Sequence, residues 1–144
     1  MSLATEPIQN DIIARLQEQI PQLEVFDTEV PDEQKLPTSN GMLKSYAVVY
    51  FSEPVRAAVS RGIVSTRRDL HRAGMTVQVI SPRSGDARMW ADKIKDALTG
   101  YKPADASEMV LEGGAATNNG TGTTRPTTYS RYIAFSFYTN LITD

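Results

Sequence analysis

Chemistry in this chain would have to come from few side chains. His71 is the sole histidine, and it sits in the charged run Arg68-Asp69-Leu70-His71-Arg72. An imidazole can serve as a general base near neutral pH. No motif supplies a nucleophile for it to activate, and a solvated or interface histidine accounts for the residue. Asp86, Asp92 and Asp96 recur at helical spacing. Asp86 reads as a helix N-cap and the other two as a solvated face, whereas a metal site would ask for more carboxylates or a histidine pair. Gly113-Gly114 and Gly120-x-Gly122 hint at a phosphate loop. They lack the lysine-plus-hydroxyl ending of one, and they do not lie between a strand and a helix at dinucleotide-binding spacing; a flexible loop explains them. The chain has no cysteine, which excludes disulfides, thiolate metal sites and cysteine nucleophiles. The expectation is a protein that is not an enzyme and carries no cofactor or metal.

The arginines are what ask for a partner. Arg56, Arg61, Arg67, Arg68 and Arg72 crowd one stretch, balanced nearby by Glu53 and Asp69 alone, and Arg125 stands at the end of a later loop. Guanidinium forks suit carboxylates and phosphates, so an acidic protein surface or nucleic acid is one reading. A solvated segment that keeps a sheet edge soluble is the other. Aromatic residues are not interleaved with these arginines, so stacking on bases is not supported. These six arginines are the candidate interface residues. Trp90 falls on the apolar stripe of a helix, where core packing explains it.

The elements that must position these residues follow from periodicity. Ile8, Ile12, Leu16 and Ile20, with Ile13 beside them, predict a helix over 6–20, with Thr5 as N-cap, Pro7 in the first turn and Pro21 ending it. Leu23 and Val25 against Phe26 suggest a short strand at 22–27. Residues 28–41 hold Pro31, Pro37, Asn40 and Gly41 and read as loop and turn. Tyr46 to Phe51 is apolar on both faces, which predicts a central strand covered on both sides. Residues 55–73 have no clean period: Val55, Ala58 and Val59 could open a helix, while Gly62, Ile63 and Val64 look like an extended arm. Met75, Val77 and Val79 alternate with Thr76 and Gln78, a strand with one face buried. Ala87, Trp90, Ala91, Ile94, Ala97 and Leu98 make the stripe of a helix over 87–99, stopped by Gly100. Residues 107–111 read as a short strand and 113–128 as a low-complexity loop. Ile133, Phe135 and Phe137 alternate with Tyr132, Ala134, Ser136 and Tyr138 in a final strand. The fold class expected is α+β: a mixed, mostly antiparallel sheet of about five strands with two packed helices and long irregular loops near 28–41, 55–73 and 113–128.

A chain of 144 residues suits one domain, 1–144, large enough to bury a core without staples. With 15 basic and 17 acidic residues the formal charge is −2, which offers no global field for grasping nucleic acid or a membrane. No apolar run nears the ~20 residues of a membrane span, and Met1 to Pro7 lacks the basic and apolar regions of a signal peptide. The expected location is the cytoplasm, unless the protein leaves as part of a larger particle.

Three blocks together resemble the tail terminator proteins of long-tailed bacteriophages, the minor tail protein U-like family. The first is the opening helix followed by Ile20-Pro21-Gln22-Leu23-Glu24-Val25-Phe26. The second is Tyr46-Ala47-Val48-Val49-Tyr50 and the irregular arm after it. The third is Met75-Thr76-Val77-Gln78-Val79-Ile80-Ser81, the turn with Gly85-Asp86-Ala87-Arg88, and Trp90-Ala91-Asp92-Lys93-Ile94-Lys95-Asp96-Ala97-Leu98. The segment 55–73 is richer in arginine than the family pattern, and 113–128 is longer and blander. The resemblance implies a structural virion protein at the head-proximal end of the tail. It would form a ring of six subunits, cap the tail tube, stop its polymerisation and face the head–tail connector, while DNA slides through the lumen without specific binding. The expected partners are therefore further copies of itself, the tail tube protein and the connector, with no membrane. Another neck component, either a head completion or a tail tube protein, is the nearest alternative. A small module touching nucleic acid through its arginines is the alternative of a different class.

Overall fold

The structure, a computed structural model, describes residues 2–3, 6–27, 38–39, 42–52, 55–56, 70–103, 106–119, 128–140 and 142–143. The four-residue repeat of isoleucine and leucine at the start of the chain forms helix α1, Glu6–Gln19. Ile8, Ile12 and Leu16 are buried along one line of it, and Ile20 continues that line with a backbone bond from its N–H to the Leu16 carbonyl (2.9 Å). Thr5, the expected N-cap, lies outside the described residues. A second stripe, Ala87, Ala91, Ile94, Ala97 and Leu98, is buried along α2, Ser84–Leu98. Helix α2 begins earlier than the apolar stripe predicts. Its N-cap is Arg83, which makes no side-chain cap bond, and Asp86 sits inside the first turn. There its carboxylate meets the positive end of the helix dipole rather than capping the helix. Gly100 follows the C-cap at φ 80°, a left-handed conformation that glycine adopts without a Cβ clash, as expected of a helix stop.

The strands are β1 (Ser2–Leu3), β2 (Glu24–Asp27), β3 (Thr38–Ser39), β4 (Met42–Leu43), β5 (Tyr46–Phe51), β6 (Val55–Arg56), β7 (Leu70–Ser81), β8 (Val110–Asn119), β9 (Thr128–Asn140) and β10 (Ile142–Thr143). The principal sheet runs β2-β5-β7-β9-β8, and β6 also pairs with β7. β2 and β5 are parallel and every other pair in it is antiparallel. With two helices against this five-strand mixed sheet, the α+β expectation holds. β1 pairs with β10, and β3 with β4 on either side of the sequence Asn40-Gly41. The remainder of the predicted loop 28–41 lies outside the described residues.

Both helices cover one side of the sheet. Their stripes meet Ala47 and Val49 of β5, Met75, Val77 and Val79 of β7, and Ile133, Phe135 and Phe137 of β9 in one cluster. Each large aliphatic or aromatic side chain buried this way contributes about 1.5–3 kcal/mol. Trp90 is half-buried against this cluster, with Lys93 Nζ 4.9 Å from its ring centre. The two helices are tied at one end, where Arg15 Nε donates to the Ala97 carbonyl (3.1 Å) and its guanidinium lies 4.8 Å over Tyr101. On the opposite side Tyr46, Val48 and Ile80 form a smaller buried patch edged by Phe26 and Tyr50. β5 is therefore buried on both faces, as its unbroken apolar run implies.

Three elements extend beyond the sequence reading. β7 begins at Leu70 because its first residues, which include His71 and Arg72, pair with 137–140 of β9 on one side and with β6 on the other. β9 likewise runs to Asn140. The largest correction is β8. Residues 113–119 are not a flexible loop but strand, in register with β9 from Gly113↔Ala134 to Asn119↔Thr128. Composition alone carries no strand signal there, because pairing with a long neighbour overrides local propensity.

Candidate interaction surfaces

The arginine segment is rooted on the sheet. Val55 and Arg56 lie opposite Arg72 and His71 of β7. Ser52 bridges β5 to this extra rung: its N–H donates to the Gly74 carbonyl (2.9 Å) and its Oγ accepts from the Gly74 N–H (2.9 Å). So the two ends of 55–72 are held side by side as strand, while Arg61, Arg67 and Arg68 lie outside the described residues, as does Arg125. Arg72 is exposed on the helix-free side. Its guanidinium reaches Glu112 Oε1 (3.4 Å), which also accepts a short bond from the Ser136 hydroxyl. Glu112 is the extra residue of a bulge between Leu111 and Gly113, which aims it at this pair. The Ser136 hydroxyl and then the Arg72 charge hold its carboxyl below the ordinary glutamate range, against the opposing effect of desolvation.

The same helix-free side carries a row of polar side chains across three strands. Tyr50 donates its hydroxyl to Gln78 Oε1 (3.3 Å), and Gln78 Nε2 donates to the Tyr132 hydroxyl (3.0 Å) and to Ser130 Oγ (3.3 Å). Such a row fixes Gln78 in the sheet. Burial beside Tyr50 raises the Tyr46 phenol, which therefore stays protonated at neutral pH.

On the helix side, a cleft of about 330 Å³ opens between α2 and the β8–β9 ribbon. Arg88, Asp92 and Lys95 project from α2, Arg131 from β9, and Gly114 and Ala115 form its wall. Lys95 Nζ lies 3.7 Å from Asp92 Oδ1, so three cations share the cleft with one carboxylate. Of these residues, the helical spacing of aspartates singles out only Asp92, which reads as part of a solvated face; Arg131 stands outside the six arginines named from the sequence. A signal was there. In the register of β9, Arg131 occupies the same side as Ile133, Phe135 and Phe137, so a charge stands in the buried phase of the strand. Arg88, Asp92 and Lys95 also repeat at helical spacing.

His71 is a strand residue whose backbone lies opposite Arg56 and Thr139. Gly113-Gly114 lies within β8, not between a strand and a helix. Among the described residues no group of three or more His, Cys, Asp or Glu is placed to hold a metal ion, and no helix is long and apolar enough to cross a membrane.

Comparison with known proteins adds a family. The sequence profile of the family described as Gp37 protein matches residues 12–129. No curated protein matches the sequence. One solved structure superposes with a TM-score of 0.56 at 16% identity, covering 99% of this chain and 100% of the other. At that identity the likeness concerns the fold alone.

Proposed function

Starting from the fact that this chain belongs to the Gp37 protein family, a family of phage proteins, we propose that it is a structural virion protein, the tail terminator. In this reading six copies close into a ring on the head-proximal end of the tail tube. The ring stops further polymerisation and presents a surface to the head–tail connector, with DNA sliding through its lumen. The observation that carries it is the resemblance of the sequence blocks at 20–26, 46–50 and 75–98, in order, to the terminator pattern, within a chain of a phage family. The sheet-rooted ends of segment 55–72 support it: Arg56 and Arg72 lie on strands that pair with each other, and arginines there suit contact with an acidic neighbouring subunit or with the tube. A net charge of −2 also suits a lumen that must not hold DNA by phosphate contacts.

The test is native mass by sedimentation, followed by imaging for a ring with a central hole and by addition to polymerising tube protein. A six-subunit ring that halts tube growth is expected. A protein that itself polymerises into tubes is a tube protein instead, and salt-sensitive DNA binding by a monomer is the nucleic-acid module. Changing Arg61, Arg67 and Arg68 together to Ser is expected to weaken ring or tube association while leaving the monomer folded, and raised salt to mimic part of the loss. Unchanged mass and tail joining would reduce the segment to a solvated loop.

A further inference from the structure

Among the described residues, no strand pairs with the outer edge of β2 or of β8. The two edges are unlike. β2 is short and acidic, with Glu24 and Asp27 exposed at its ends. β8 is long, and from Gly113 to Asn119 it contains no charged residue and no proline. Natural sheets guard long edges with charges, prolines or bulges, and an unguarded stretch is a template for another strand; β8 carries one bulge and one charge, both at Glu112, and neither from Gly113 on. Beside it on the helix side lies the cleft with Arg88, Lys95 and Arg131, and at its start Leu111 and Val110 are 38% and 54% exposed.

The directions agree as well. β2 runs with β5, β5 against β7, and β7 against β9, so β9 runs with β2; β8, antiparallel to β9, runs against β2. A second copy shifted sideways along the sheet without being flipped thus sets its β2 antiparallel to β8. The faces also agree. Asp27 is opposite Val49 and so on the helix side, the side of the basic cleft, whereas Glu24 is opposite Tyr46 on the helix-free side. Val25, on the helix side and packed at the core margin, comes to the side of the seam that holds Leu111.

We infer that the β2 edge of one copy docks antiparallel on the β8 edge of the next, with its acidic end directed at the cleft of Arg88, Lys95 and Arg131, so that successive sheets join head to tail. The contact is heterologous, so it propagates until it closes. This rests on the ring reading above and names the seam of that ring.

The experiment uses the full chain and sedimentation. Variant one carries Glu24→Lys and Asp27→Lys; variant two carries Arg88→Glu, Lys95→Glu and Arg131→Glu; circular dichroism checks that each is folded. Each alone is expected to self-associate at least about tenfold more weakly than the wild type. The mixture is expected to recover the wild-type mass, because alternating copies oppose unlike charges at every seam. Because the chain has no cysteine, a second arm introduces Glu24→Cys together with Ala115→Cys or Thr117→Cys, whose register partners Tyr132 and Ser130 alternate along β9 with the buried Ile133. At least one pairing is expected to give an intermolecular disulfide ladder ending at the ring size. A wild type that stays monomeric overturns the ring reading and this seam with it. A wild-type ring whose mass both charge variants keep, or whose cysteine pairs never link, overturns the seam and leaves the ring standing.

Discussion

Gly114 is held to glycine by a carbonyl. A Cβ built there would lie 2.7 Å from the Tyr132 oxygen, and neither strand can yield without breaking the ladder between them. Gly114→Ala is expected to cost about 1–3 kcal/mol, whereas Gly85→Ala, where a Cβ meets nothing within 4 Å, should gain about 0.5 kcal/mol from helix propensity. Urea unfolding of the pair checks both. Glu112 gives a pH signature. Its carboxyl is depressed in the fold by Ser136 and Arg72. Its contribution is therefore complete above the ordinary glutamate pKa of about 4.3 and is lost as pH falls through the lower folded value. The unfolding midpoints of the wild type and Glu112→Gln are expected to differ at pH 6 and to converge in acid. Equal midpoints at every pH would mean that solvent screens the contact completely. The carboxylate's role was not readable beforehand, because it depends on a one-residue bulge that joins three sequence-distant positions.

At the scale of elements, the amphipathic stretches were legible and the pairing-dependent ones were not. α1, α2, β5 and the inner part of β7 announce themselves through side-chain period, since burial on one face writes itself into residue type. The start of β7 and most of β8 carry no such period. Leu70 to Gly74 and Gly113 to Asn119 are strand because a partner's backbone supplies their hydrogen bonds, which residue type records poorly. A measurement separates the two readings of 113–119. If these residues are strand, the amides directed at β9 exchange with solvent as slowly as those of β9 itself. Exchange at the rate of an open chain would restore the loop. Of the six arginines singled out from the sequence, Arg72 has a described side-chain partner and Arg56 a described strand position. The basic cleft escaped notice because its residues come from two elements that meet only in the fold.

For the whole molecule, two unlike edges, the short acidic β2 and the long β8, bound one sheet, and the seam proposed above would make the protein a directional building block. The pairing at the centre has a further, temporal meaning. β7 binds β9 along its whole length, from Leu70↔Asn140 to Ser81↔Tyr129. Loop closure over such separations slows folding relative to local contacts. During synthesis the edge of β7 beside Met75, Val77 and Val79 stays unpaired until their partners Phe135, Ile133 and Arg131 have been made. A nascent chain thus carries half a sheet with an open side through much of its time on the ribosome, and that interval is when chaperones or misplaced copies have access to it.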